Sequence, residues 1–368
     1  MTLRVLVLTH QTLDLPETIA GLTDEEVAPW KTEYDVVTAL RDLGHEVNTL
    51  GGTDELAAIR QPLLEWEPDI VFNLLEEFRG EGLYVPYVLG YLQLMRKPYT
   101  GCNASGLMVA DDKVLAKKIL RYHRIPVPEF AVFPRGRVVK RPRHLSFPLI
   151  VKSSTEHGSL GIAQASIVSA DDKLAERVEF VHSHLGTDAI AEEFVEGREL
   201  YAGVLGNRRL ETFPVWEMVF EKLPDGAPRI ATAKVKWDLE YQSKSGITTR
   251  AATGLPNGTE DRIHKLCKRV YRILGLSGYA RMDFRLTEEG RLYLLEPNPN
   301  PDLALDEDFA ESAHAAGMSY EKLIQRIVNF GLRYHAGTKV KRSGPSPTPF
   351  SYDVGRRMPS QGPFLVRS

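Results

Sequence analysis

Cysteine is scarce: Cys102 and Cys267 are the only two in 368 residues. Two thiols are too few for a disulfide framework or a thiolate metal site, and their scarcity fits a reducing compartment. Cys267 shares an apolar stripe of helical spacing with Ile263, Leu266, Val270 and Leu274, so it reads as core filler. Long hydrophobic runs are lacking as well. The longest early run, residues 5–8 behind Arg4, falls short of the ~7 apolar residues of a signal core and of the ~18 needed to span a membrane. A cytoplasmic protein with no membrane partner is expected. Neither sign of charge dominates, since 46 Lys and Arg stand against 49 Asp and Glu for a net charge of −3. That balance gives no overall field for steering onto nucleic acid, which is not an expected partner.

Three motifs are missing too. The first strand runs into Thr9-His10-Gln11-Thr12 instead of a glycine-rich dinucleotide turn. The sequence contains no G-x-x-x-x-G-K-[ST] loop and no H-E-x-x-H pair. His182 and His184, two apart on a helix, do not face one point, which argues against zinc.

What is present describes a globular chain, with 43% hydrophobic and 26% charged residues. Strand-like and helix-like segments alternate at the start: strand 4–9, helix 36–43 ending near Gly44, strand 45–50, strand 69–73. This pattern predicts an open α/β layer. A helix carrying Leu115, Ile119 and Tyr122 stops before Pro126 and Pro128, and a domain seam is expected across residues 108–130. The apolar strand 148–151 follows, strands dominate as far as about residue 205, and an amphipathic helix over 320–334 puts Leu323, Ile324, Ile327 and Val328 on one face. Residues 338–368 hold five prolines and six basic residues against the single acid Asp353. Such a tail buries too little apolar surface to offset its chain entropy, and disorder is expected.

Four constellations carry candidate chemistry. In residues 279–298 a β-hairpin is predicted, turning at 287–290. Period-two alternation sets Arg281, Asp283 and Arg285 on one face of its first strand. A turn centred on Glu288-Glu289 puts Asp283 opposite Leu294 and Arg281 opposite Glu296, so that Asp283, Glu296 and Asn298 share a face. Hard oxygen ligands of this kind suit magnesium, while a solvated face with an Arg281–Glu296 ion pair fits the same register. Residues 147–152 form a buried strand ending in Lys152, followed by Ser153-Ser154-Thr155-Glu156-His157-Gly158-Ser159-Leu160-Gly161 and a strand expected near Ile162. This loop reads either as a lid laying N–H and hydroxyl groups over phosphates, with the lysine as a point charge, or as a plain hairpin loop. Asp111-Asp112-Lys113 opens a helix over 114–122, where acids cap ordinarily. Glu192, Glu193, Glu196 and Glu199 fall in residues 189–200, to be read as acceptors for a nucleoside or as solvated carboxylates.

Taken in this order, these pieces resemble the ATP-grasp superfamily, specifically the D-alanine:D-alanine ligase-like carboxylate–amine ligases. The likeness covers roughly residues 70–335. It runs from Pro98-Tyr99-Thr100-Gly101 through Asp112-Lys113, the strand 147–152 with its Ser/Gly loop, and Glu192 to Glu199, to Arg281-x-Asp283-Phe284 and Glu296-x-Asn298. The resemblance implies an α/β (α+β) ATP-grasp fold: an N-terminal domain over 1–108, a central domain over 109–188, and a C-terminal domain over 189–337 before the tail 338–368, with ATP between the last two domains. It further implies that Lys113 and Lys152 contact ATP phosphates, and that Ser153, Ser154, His157, Gly158 and Ser159 form the loop over them. Glu192 and Glu193 would lie on the adenine side and Glu199 at the ribose hydroxyls. Asp283, Glu296 and Asn298 would bind two magnesium ions, or manganese in their place. Arg281 would stabilise the acyl phosphate and the tetrahedral intermediate, and Lys236 is similar to a further phosphate contact. The implied partners are a small-molecule carboxylate and an amine, and the resemblance allows a homodimer.

The implied reaction activates a carboxylate with ATP as an acyl phosphate and forms an amide, ADP and phosphate. A true D-alanine:D-alanine ligase of cell-wall precursor synthesis and a non-catalytic ATP-binding module are the alternatives. Two segments depart from the family pattern. Residues 9–13 do not match the family's Gly-Gly-x-Ser segment. The family's Asn-Thr-x-Pro-Gly-Met reads Asn298-Pro299-Asn300-Pro301-Asp302-Leu303 here, followed by Asp306, Glu307 and Asp308. Acids beside the acceptor site repel a free carboxylate, which points to an amine other than D-alanine. Glu76, Glu77 and Glu81 are candidates for the first-substrate site.

Overall fold

The computed structural model describes residues 1–334, except 11–14, 53, 157–160, 223–229, 231, 233–234 and 236–237. The expectation for 338–368, and those for His157, Gly158, Ser159 and Lys236, therefore lie outside the described residues. Among the described residues the strands form three sheets. In the first, β1 (Arg4–Thr9), β2 (Glu46–Leu50) and β3 (Ile70–Leu74) run parallel in the order β2-β1-β3. Val5, Leu6, Val7 and Leu8 are all almost fully buried, as a parallel strand covered on both faces requires. One face packs on Val36 and Leu40 of the helix Lys31–Asp42 and on Leu323, Ile324, Ile327 and Val328 of the helix Tyr320–Arg333. The stripe read from the last helix therefore closes the first sheet, and Gly44, at φ 78°, ends the earlier helix where expected.

The second sheet comprises β4 (Phe130–Phe133), β5 (Leu149–Ser153), β6 (Ile167–Val168) and β7 (Ala189–Glu193), antiparallel in the order β4-β7-β5-β6. The helix Asp171–Phe180 covers it through Leu174 and Val178. One expectation is corrected here. No strand starts at Ile162: Gly161 sits at φ 69°, which breaks extended backbone, and a 3-10 turn over Gln164–Ser166 precedes β6. Because β7 pairs with both β4 and β5, this sheet reaches Glu193.

The third sheet contains β8 (Arg198–Leu205), β9 (Glu211–Thr212), β10 (Trp216–Phe220), β11 (Ile247–Ala251), β12 (Tyr279–Leu286) and β13 (Leu292–Asn298). Its order is β11-β10-β8-β12-β13, with β9 paired to β8. Ile263, Cys267 and Val270 of the helix Thr259–Ile273 are fully buried against the apolar side of β12, made of Ala280, Met282 and Phe284. Arg281, Asp283 and Arg285 therefore face the other way. No helix among the described residues is long and apolar enough to cross a membrane.

Candidate active site

The hairpin forms, in a different register from the predicted one. Leu286 pairs with Leu292, Arg285 with Tyr293 and Phe284 with Leu294; beyond an irregularity at Asp283/Phe284, Asp283 pairs with Glu296 and Arg281 with Asn298. The loop is one residue longer than expected, closed by Thr287 N–H to Arg291 O at 2.9 Å, and a bulge leaves Leu295 without a partner on β12. Asp283, Glu296 and Asn298 still share a face, because directly opposed residues point the same way. Two carboxylates set opposite each other repel, and cations surround them. Arg281 holds both oxygens of Asp283, at 2.8 and 2.9 Å, and its guanidinium lies 3.5 Å from Asp308 and 4.6 Å above the Tyr201 ring. Lys113 Nζ is 3.8 Å from Glu296. The predicted Arg281–Glu296 pair is thus replaced by Arg281–Asp283.

The lysines come from two elements. Asp112 caps the helix Lys113–Tyr122, its Oδ1 accepting from Leu115 N–H at 2.9 Å. On that helix Lys113, Ala116, Lys117 and Leu120 form the buried stripe. Lys113 Nζ donates to Glu156 O at 2.5 Å, while Lys117 Nζ donates to Leu295 O at 2.7 Å and lies 3.3 Å from Glu192. Lys152, at the end of β5, lies 3.4 Å from the same carboxylate. Glu192 is 1% exposed, so the solvated reading of this acid is overturned. Burial would raise its pKa, but Lys117 and Lys152 hold it below the usual carboxylate range. Burial lowers the pKa of Lys113 and of Lys117. It also opposes the charge on Lys152, where Glu192 and Glu296 more than compensate and the pKa ends up raised. Asp111 is pushed up to about 7 by burial, against the pull of Lys113.

Glu199 is buried as well. Its oxygens accept from Arg285 at 2.6 Å and from the Tyr201 hydroxyl at 2.9 Å. Arg285 also donates to Gly197 O at 2.8 Å. Gly197 stands at φ 142°, and a Cβ there would lie 2.1 Å from Leu286 O. Only glycine lets this turn approach the end of β12.

These groups border one open cleft. Lys113, Lys152, Glu192, Glu199, Asp283 and Glu296 supply its charge, and Ile150, Phe194, Val195 and Leu295 its apolar wall. Such a space suits a flat apolar ring at one end and a polyphosphate with a hard cation at the other. Glu193 borders the cleft too, while its carboxylate accepts from Ser146 N–H at 2.7 Å. Ser153 Oγ accepts from Thr155 and Glu156 N–H and so shapes the start of the loop. Ser154 O receives Lys113 N–H at 3.1 Å. Sequence reasoning missed Lys117, Tyr201 and Arg285. Each carried a spacing signal: Lys117 is one helical turn beyond Lys113, Tyr201 two past Glu199, and Arg285 two past Asp283.

A second, acid-rich region adjoins Arg281. His10 lies 4.0 Å from Glu33, whose carboxyl is raised above its ordinary pKa by burial, with Glu76 and Asp302 adding to the rise. Glu307 is within electrostatic reach of Asp302, Asp308 and Arg281. Asp308 is 7% exposed, and its Oδ1 has no hydrogen-bond partner.

Residues 119–329 match the sequence family described as D-ala D-ala ligase C-terminus. Among curated proteins, the chain is 30% identical to the D-alanine–D-alanine ligase of Desulforudis audaxviator over 84% of its length and 95% of the relative's. It is 32% identical to that of Syntrophotalea carbinolica over 84% and 93%, and 28% identical to an uncharacterized protein, y4sG, of Sinorhizobium fredii over 85% and 91%. Among solved structures, a D-alanine–D-alanine ligase from Bacillus anthracis complexed with ATP superposes with a TM-score of 0.69 at 22% identity, over 90% of this chain and 98% of that one.

Proposed function

We propose that this chain, which belongs to the D-alanine–D-alanine ligase family of ATP-grasp ligases that form C–N bonds, activates a small-molecule carboxylate with ATP as an acyl phosphate and passes it to an amine, releasing ADP and phosphate in the cytoplasm. The observation that carries this reading is the single cleft with Lys113, Lys152 and Glu192 at one part of its wall and the opposed Asp283 and Glu296 at another. The adenine would lie against Ile150, Phe194, Val195 and Leu295 on the Glu192–Glu193 side, and Glu199 would accept from the ribose hydroxyls. Lys113 and Lys152 would clasp the phosphates.

The donor set fits magnesium. Asp283 and Glu296 offer hard oxygens from one face, and Asn298 shares that face with its Oδ1 accepting from Asn300 N–H at 3.2 Å. Among the described residues no three acidic, histidine or cysteine side chains surround one point, so phosphate and water would have to complete the ion's shell. Bound there, magnesium would neutralise charge on the transferred phosphoryl group. Arg281 would hold the oxyanion that develops when the amine attacks; one such donor contributes about 3–4 kcal/mol. The apolar wall would limit the water that reaches an intermediate that water destroys.

A second reading concerns the acceptor. Asp302, Glu307 and Asp308, with the unpartnered Asp308 Oδ1, border Arg281 and oppose an incoming free carboxylate. They favour an amine with no carboxylate or with a second positive charge. Measuring ADP release over D-alanine, other amino acids, polyamines and small peptides tests both readings. Turnover with a cationic amine is expected. Stimulation by D-alanine alone, with dipeptide formed, overturns the acceptor reading, and ATP binding with no stimulated turnover points to the non-catalytic module.

A further inference from the structure

Three lysines converge on Glu192 and Glu296, and one of them does not border the cleft. Lys113 and Lys152 do; Lys117, 3% exposed, stands behind the wall. Its ammonium joins two strands of different sheets: Glu192 of β7 at 3.3 Å and the Leu295 carbonyl of β13 at 2.7 Å. Leu295 is the residue left over by the hairpin bulge. A bulge leaves its extra residue unpaired in the ladder, and a part-buried carbonyl without a donor is unfavourable. Lys117 supplies the donor, so it stabilises the local distortion that brings Glu296 opposite Asp283. The same charge keeps Glu192 ionised in the interior.

We propose that Lys117 is a positioning residue of the ligase site: it touches neither nucleotide nor metal, and it sets the register of the Asp283/Glu296 pair by capping Leu295 while fixing Glu192 on the facing wall. A compact ammonium with three donors reaches two acceptors in different directions. Methionine has similar length and no donor, and the planar guanidinium of arginine cannot take the same place without moving Leu295.

This role rests on the ligase reading, and the test separates the two. The full chain and its Lys117→Met and Lys117→Arg variants are titrated calorimetrically with ADP over a range of magnesium concentrations, well below each variant's melting temperature. The wild type is expected to bind magnesium–ADP. In Lys117→Met the affinity falls about tenfold or more and half-saturation by magnesium moves to higher concentration. In Lys117→Arg, which keeps the charge and the fold, the magnesium shift is about two- to fivefold. A residue that served only stability would lower the melting temperature and leave both binding curves in place. Wild-type magnesium dependence in Lys117→Arg, and in Lys117→Met where it folds, overturns the proposal. A wild type that binds no magnesium–ADP overturns the ligase reading itself, and this role with it.

Discussion

In the cleft the three buried carboxylates and the half-buried Glu296 each have a cation: Glu192 has Lys117 and Lys152, Glu199 has Arg285, Asp283 has Arg281, and Glu296 has Lys113. On the other side of Arg281 the balance is reversed. Glu33, Glu76, Asp302, Glu307 and Asp308 gather beside the imidazole of His10, where the cations in contact are Arg281 and, through Asp35 and Asp306, Lys31. A surface already neutralised by its own lysines has donors ready for an anion that brings its own metal. A surface with surplus acid is completed by a cation arriving from outside. One guanidinium stands at the border, which is where a phosphorylated carboxylate and an amine would have to meet.

The comparison breaks most visibly at Asp283. Asp283→Asn keeps the shape and removes the charge that both Arg281 and a metal would use. Turnover is expected to fall at least about 100-fold, with a much smaller change in melting temperature. ADP release alongside thermal unfolding checks this, and unchanged turnover removes the metal assignment. On the acid side, Glu33 tests the demand for a cation. Its carboxyl titrates above the ordinary value of 4.5 because of burial. Its contribution to stability is present below 4.5 and is lost as pH rises through the raised value. Binding of a cationic acceptor runs the opposite way, since it needs the ionised form. The acceptor KM is expected to fall severalfold as pH rises through that interval, and Glu33→Gln should flatten the profile; a wild-type slope in the variant argues against the acid region as acceptor site. The smallest effect is expected at Tyr201, which belongs to both regions. Tyr201→Phe leaves the ring beneath Arg281 and deletes the hydroxyl bonded to Glu199. The KM for ATP should rise about two- to fivefold with kcat unchanged. A fall in kcat instead would mean that Arg281 feels the loss.

Much of this was legible in the sequence because period-two alternation and helical stripes are local. They gave the hairpin faces, the burial of Cys267 and the apolar side of the last helix. The register was not legible, since one additional residue in a strand leaves the composition of both faces intact; Leu295 looks like any other apolar strand residue until its missing partner is seen. The charged pairs were illegible for a related reason. Glu192 meets a lysine 40 residues away and Glu199 an arginine 86 away, and a lone Lys or Glu is ordinarily solvent-exposed. Lys117 shows the limit best: its place on a buried stripe could be read from Ala116 and Leu120, and its two acceptors could not.

The helix Tyr320–Arg333 covers the first sheet, Val5 and Val7 included. The opening strands therefore leave the ribosome long before that helix is made, and the part of their apolar face that the helix Lys31–Asp42 does not cover stays bare through most of synthesis. The acid-rich region, assembled from His10 and Glu33 at one end of the chain and Asp302 and Asp308 near the other, can exist only once translation has passed both. A nascent fragment would be open to chaperones where this region is still incomplete.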